Sequence, residues 1–185
     1  DRLYAEATNA PSRRAAQTTL HRLATGLTRM LAPICVFTGE EAWGFLPGAT
    51  TEKADSIHLT DWPEENFELP TEEKAVWQNL FAHREPALAE LEKARQEKQI
   101  GKALEARVTI TAADLATAQA HAETLRELIN ISQLELVEDK FAATASYTVT
   151  KAHGEKCTRC WRWETSVGEH EEHLGICGRC VEAVA

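Results

Sequence analysis

The sequence predicts an α+β, mainly helical chain. Part of a helical bundle comes first, then a small α+β unit, then a terminal knuckle on four cysteines. Three observations carry this: two amphipathic helical stretches flank Pro33, helical and strand-like periods alternate after residue 72, and two Cys-x-x-Cys pairs close the chain. The expected segments are 1–49 for the bundle end, 50–71 for an acidic linker or strap, 72–153 for the α+β unit and 154–185 for the cysteine module.

Residues 12–31, "SRRAAQTTLHRLATGLTRML", place Leu20, Leu23, Leu27, Met30 and Leu31 on one helical stripe. Pro11 and Ser12 suit the start of this helix, Arg14, Arg22 and Arg29 lie roughly opposite the stripe, and Pro33 ends or kinks it. A second helix follows in "FTGEEAWGFL", where Thr38 and Glu41 have the spacing of a capping box. Two adjacent amphipathic helices with a short break imply part of a bundle. The stretch "PGATTEKADSIHLTDWPEENFELPTEE" is rich in proline and acids and reads as a linker or strap, with Trp62 and Phe67 expected to pin it to the body. From Glu72 a helical period returns through Val76, Leu80, Ala87, Leu91 and Ala94, with an interruption expected at Pro86. "LEKARQEKQIGKALEARVTI" then leads into a strand near Val108–Thr111. "AADLATAQAHAETLRELI" forms a further helix with Leu115, Ala118, Ala122, Leu125 and Ile129 on one face, and "ISQLELVE" and "ATASYTVTKA" alternate as strands. A short mixed or antiparallel sheet is expected.

The chain has 185 residues, 43% hydrophobic and 26% charged, which suits one medium globular domain or two small ones. No apolar run is long enough to span a membrane, so no membrane partner is expected. The opening "DRLYAEATNA" lacks a signal-peptide core and an initiator Met and reads as the end of a helix, so a piece of a longer polypeptide is expected. The net charge of -9 is concentrated. Ten acids and one lysine lie between Glu40 and Glu73, whereas residues 1–30 carry five arginines against two acids. The acidic run reads as a solvated linker, leaving the ends of the chain able to meet a polyanion.

Cys157, Cys160, Cys177 and Cys180 form C-x2-C-x16-C-x2-C. Two-residue spacing turns both sulfurs of a knuckle toward one ion, and a soft S4 set selects zinc. One structural Zn2+ is expected, because four thiolates leave no open position for water. The remaining cysteine, Cys35, is expected to be a buried, reduced thiol, and the whole pattern suits a reducing, cytoplasmic setting. Lys156, Arg159 and Arg162 surround the first knuckle, Arg179 lies in the second, and Trp161 and Trp163 alternate with the bases. Cations for phosphate and flat rings for unpaired bases suit single-stranded nucleic acid. The same tryptophans could instead roof the metal as a miniature core, with the bases offsetting thiolate charge.

With these residues in place the chain resembles the C-terminal region of bacterial isoleucyl-tRNA synthetases. The stretches that carry the likeness are "DRLYAEATNAPSRRAAQTTLHRLATGLTRMLAPICVFTGEEAW", "SIHLTDWP", "KQIGKALEARV", "ISQLELVE" and "EKCTRCWRWETSVG…ICGRCVEAV", which together cover nearly the whole chain. The resemblance implies that residues 1–49 are the C-terminal part of a helical anticodon-binding domain. It implies a junction domain at 72–153 and a tRNA-binding zinc element at 154–185. It further implies a parent enzyme that joins isoleucine to its tRNA with ATP, using catalytic and editing domains that this chain lacks. No catalytic residue is therefore expected here, and ATP belongs to the parent alone. The implied partners are isoleucine tRNA, through its anticodon stem-loop, and the other domains of the same synthetase, in a monomer. By position, the zinc ligands fall on Cys157, Cys160, Cys177 and Cys180, and the RNA-facing pair on Arg159 and Trp161. Lys156, Arg162 and Arg14 complete the candidate RNA-binding set. Arg162 and Trp163 stand where many members carry other residues, which leaves them open between RNA contact and packing.

Two other classes remain as alternatives. A purely structural zinc module could dock on its own protein without touching RNA. A DNA-repair glycosylase has a zinc finger of similar spacing, but the N-terminal proline nucleophile and acidic neighbour of that enzyme are missing here.

Overall fold

A computed structural model describes residues 1–47, 54–62 and 68–185. Two compact units divide the chain, Asp1–Phe67 and Glu68–Ala185. No helix among the described residues is long and apolar enough to cross a membrane.

The first unit holds helices α1 (Arg2–Ala5), α2 (Pro11–Leu31) and α3 (Val36–Phe45). Pro11 takes the first position of α2, where its missing N–H costs nothing. The helix stops at Leu31, two residues before Pro33, and Ala32 bonds back to the Thr28 carbonyl. Ala32 then meets Gly39 of α3 so closely that a β-carbon at position 39 would sit 3.1 Å from the Ala32 Cα. Among the described residues of this unit, Ala32, Trp43 and Ile57 form a buried apolar cluster.

Several expectations are corrected here. The capping box does not form: the Cys35 carbonyl already accepts the Gly39 N–H at 2.7 Å, so α3 begins before Thr38, which lies inside it. Cys35 is exposed at the helix start rather than buried. The apolar stripe of α2 is also exposed; no residue of this helix is fully buried, and Arg29 lies 5.5 Å over the Trp43 ring. The strap is not pinned by Trp62, which is 65% exposed. Its anchors come from α3. Trp43 Nε1 donates to the Ala54 carbonyl at 2.8 Å, and the Glu40 carboxylate accepts from Ser56 Oγ at 2.8 Å and the Ile57 N–H at 3.1 Å. Phe67 and residues 48–53 and 63–66 of the expected linker lie outside the described residues.

The second unit starts with α4 (Thr71–Gln96). It buries Leu80, His83, Ala87, Leu91 and Ala94, so the stripe the sequence predicts is buried except at Val76, which is partly buried, and a histidine joins it. The helix runs through Pro86 without the expected interruption. Pro86 lies on the exposed side, so its ring removes one backbone bond there without disturbing the buried face. The central strand β1 (Ala106–Ala112) alternates buried and partly buried residues. The helix predicted next is broken at His121 into α5 (Ala116–Ala120) and α6 (Ala122–Ile129). Strands β2 (Gln133–Glu138) and β3 (Ser146–Lys151) complete a mixed sheet of order β2-β1-β3. β2 runs parallel to β1, with Arg107 opposite Gln133, and β3 runs antiparallel, with Ala106 opposite Lys151. α4, α5 and α6 bury the sheet through Leu80, Leu91, Val108, Ile110, Leu115, Leu125 and Ile129. The cysteine module follows as a short ribbon, β4 (Glu155–Lys156) paired antiparallel with β5 (Trp163–Glu164), and a terminal helix α7 (Gly178–Val184).

Candidate metal centre and nucleic-acid interface

The first knuckle is the turn of the β4–β5 ribbon. Cys157 N–H donates to the Arg162 carbonyl at 2.8 Å, and the Trp161 N–H returns to the Cys157 carbonyl at 2.9 Å. Trp161 closes this turn with φ +65°, a left-handed conformation that is uncommon for a bulky residue. The second knuckle is the start of α7, where Cys177 is the N-cap and Cys180 lies one turn in. Thr158 joins the two, its N–H and hydroxyl each reaching the Gly175 carbonyl at 3.0 Å. Ser166 Oγ accepts the Gly178 N–H at 3.1 Å. The sequence reading missed Thr158, Gly175 and Ser166; hydroxyl residues close to a Cys-x-x-Cys turn are the signal that could have found them.

The geometry brings Cys157, Cys160, Cys177 and Cys180 together, all buried, with their sulfurs within 4.8 Å of one another. Cys160 Sγ and Cys177 Sγ lie 3.8 Å apart, and all four thiols are free. A disulfide needs about 2.05 Å between sulfurs. A tetrahedron with zinc–sulfur arms of ~2.3 Å has edges of about 3.8 Å, so the set fits zinc. The electrostatics agree. Burial pushes the Cys157 thiol up, but the backbone amides of Cys160, Cys177 and Arg159 outweigh it and bring its pKa down to about 6. Burial raises the Cys160 and Cys177 thiols, and neighbouring cysteine sulfurs raise them further. The cysteine cluster fits one structural Zn2+, because four thiolates fill a tetrahedral ion and leave no open position for water.

The other candidates separate by exposure. Trp161 is 62% exposed, with Lys156 Nζ 5.8 Å from its ring centre. Lys156 is exposed and Arg159 is partly exposed on the same turn. Arg14 is exposed on α2 in the first unit, and nothing relates it in space to the knuckle. Arg162 is different: only 4% exposed, it faces inward with Nη2 3.8 Å from Glu127 Oε1. Burial, then the positive charges of Arg126 and Arg179, lower its pKa, while Glu127 and Glu123 oppose them. Arg162 is thus enclosed beside Glu127 rather than presented on the turn with Lys156 and Arg159. Trp163 is half-buried, and its N–H donates to Ser132 Oγ at 2.8 Å, so its backbone belongs to the packing of the ribbon.

A family model described as "Anticodon-binding domain of tRNA ligase" matches residues 1–110. A second, described as "Zinc finger found in FPG and IleRS", matches residues 154–183. Among curated relatives, the isoleucine–tRNA ligase of Exiguobacterium sibiricum is 40% identical over 189 residues, which takes in 100% of this chain and 20% of that protein. That of Syntrophotalea carbinolica is 39% identical, with 98% and 20% covered, and that of Natranaerobius thermophilus is 38% identical, with 97% and 21% covered. The chain spans about a fifth of the length of the curated relatives it matches.

Proposed function

The chain belongs to the family of anticodon-binding domains of tRNA ligases, and from that premise we propose that it is the tRNA-binding C-terminal part of an isoleucine–tRNA ligase. On this reading it grips the anticodon stem-loop of isoleucine tRNA while domains outside the chain ligate isoleucine with ATP. Residues 1–49 form the end of the helical anticodon-binding domain, 50–71 the linker, 72–153 the junction domain and 154–185 the zinc element. The setting is the cytoplasm and the enzyme acts as a monomer. The observation that carries the reading is the zinc knuckle itself. A buried cluster of four cysteines holds a turn from which Trp161 projects, with Lys156 against its ring and Arg159 beside it. The sulfurs set the shape, the ring offers a stacking face for an unpaired base, and the cations meet the backbone. Arg14 supplies a further phosphate contact from α2.

The test is a titration of the zinc-loaded chain with an isoleucine anticodon stem-loop, followed by fluorescence. Trp161→Ala should cost roughly 1–3 kcal/mol if the ring stacks on a base. Arg159→Glu should weaken binding and reduce the slope of affinity against salt by about one. If neither variant changes the titration, the RNA reading falls. The second reading then remains, a structural zinc module docked on its own protein, which the enclosed Arg162–Glu127 pair favours.

A further inference from the structure

The zinc ribbon is fastened to the α+β body by polar groups that the metal does not require. Ser132, in the link between α6 and β2, is fully buried. Its hydroxyl donates to the Leu104 carbonyl at 2.5 Å and accepts the Trp163 N–H at 2.8 Å. The next residue, Gln133, holds both backbone groups of His153: its Nε2 donates to the His153 carbonyl and its Oε1 accepts the His153 N–H, each at 2.9 Å. The same Nε2 lies 3.4 Å from the Trp163 carbonyl. Arg126 of α6 donates to the Ser132 carbonyl at 2.8 Å and to Glu164 Oε1 at 3.2 Å. These contacts take hold of the ribbon on both sides, ahead of β4 and along β5, and none of them goes to a cysteine.

Strands of two residues cannot fix their own direction, since even a longer isolated hairpin is marginal in water. The chain from Lys151 to Glu155 would be a hinge if nothing else restrained it. The side-chain amide of Gln133 imitates a neighbouring strand for His153, and the Ser132 hydroxyl does the same for Trp163. Backbone groups that water would otherwise satisfy are satisfied by the body. Trp161 sits in the turn joining β4 to β5, so the direction of the ribbon sets the direction of its ring.

We propose that Ser132 and Gln133, braced by Arg126, are positioning residues for RNA binding: they fix the direction in which the zinc ribbon presents Trp161 and Lys156, without touching RNA themselves. The inference rests on the RNA-facing reading of the knuckle given above. The clasp removes orientations in which Trp161 faces away from the anticodon loop. Its loss leaves the zinc site intact and the ring pointed correctly for only part of the time.

The full chain, loaded with zinc, tests this with Gln133→Ala and Ser132→Ala. Gln133→Glu keeps the acceptor for His153 and loses the donor, and it serves if the alanine variants do not fold. Zinc should stay at one per chain. Residual dipolar couplings of amides 155–184 should fit the alignment of the body in the wild type and cease to fit it in the variants. Affinity for the isoleucine anticodon stem-loop should fall about three- to tenfold, the loss expected when the competent orientation drops to roughly a third to a tenth of the population. In a Trp161→Ala background the same substitutions should cost clearly less, since only Lys156 is left to be misaimed, whereas a general loss of stability would cost the same in both backgrounds. A single alignment that persists in the folded variants overturns the clasp, and so does unchanged RNA affinity in variants whose ribbon has come loose. Should Trp161→Ala alone leave RNA affinity unchanged, it is the RNA reading that has failed; the positioning role in RNA binding falls with it, and the couplings still decide whether the clasp orients the ribbon.

Discussion

Gly154 shows how one residue can decide whether the ribbon forms. Its φ is +86°, and a β-carbon there would lie 2.3 Å from the Glu164 carbonyl oxygen and 2.6 Å from the Thr165 nitrogen. Those neighbours are backbone, so they cannot rotate away. Gly168 has a similar φ of +92° with nothing within 4 Å. Alanine at 168 should therefore cost only the left-handed penalty of roughly 1–2 kcal/mol. Alanine at 154 adds a backbone clash and should cost clearly more, about 3 kcal/mol or above. Denaturant unfolding of the zinc-loaded variants compares them, and equal losses would refute the close-approach argument. His83 makes a second claim at this scale. Its Nδ1 lies 3.0 Å from the Tyr147 hydroxyl, and burial lowers its pKa from 6.5. The unfolded chain then binds the proton more readily than the folded one below about pH 6.5, so stability is present above that pH and is lost as pH falls. Denaturation at pH 8 and pH 5.5 should show a larger acid loss in the wild type than in His83→Leu.

Among the elements, α4 carries the sharpest disagreement with a simple rule. A proline in a helix interior costs about 3 kcal/mol, yet the helix continues past Pro86 because the buried residues on either side, His83 and Ala87, hold it to the sheet. Pro86→Ala restores one N–H donor on an exposed face. The gain should be about 1–2 kcal/mol after the greater freedom of the unfolded chain is subtracted, read as a rise in melting temperature. Such disagreements mark what could be read in the sequence. The stripe Leu80–Ala94 was legible because the buried face alone dictates it, whereas the alternation read in "ISQLELVE" does not return as alternating burial, since the first four residues of β2 are all partly buried. The four cysteines were legible because metal spacing is a local property. Arg162 was not, since its place in the turn before β5 depends on Glu127 of α6, and neither was the clasp at Ser132 and Gln133, whose partners lie about 20–30 positions away. The exposed side of α2 escaped for a related reason: periodicity identifies a stripe but not what covers it. The ribbon is the element most dependent on metal. A strong chelator should abolish the ordered amide signals of residues 155–184 and leave those of α4 and β1–β3 in place, because the fourteen-residue core of the body includes no residue of the zinc module.

At the scale of the whole molecule the two units differ in what supports them. Glu68–Ala185 has that fourteen-residue core, a three-stranded sheet and the metal site. Among the described residues of Asp1–Phe67 the buried apolar cluster is Ala32, Trp43 and Ile57, with Ala5 buried besides, while Leu20, Leu23, Leu27, Met30 and Leu31 of α2 are half exposed. A fully buried large side chain contributes roughly 1.5–3 kcal/mol, and a half-exposed one correspondingly less. The first unit therefore has little to set against the conformational entropy of ordering α2, which is of order 1–2 kcal/mol per residue. Unfolding of this chain should not be a single transition. Amides of residues 1–47 should exchange with solvent well before those of 71–151, and thermal melting should show an early step that reports Trp43. Chelation should lower the late step and leave the early one where it was, because the cysteines of the metal site all lie in the second unit. Hydrogen exchange read by mass spectrometry, with and without zinc, separates the two steps. One cooperative transition with equal protection throughout would mean that the first unit draws its stability from the second, contrary to the difference in their cores.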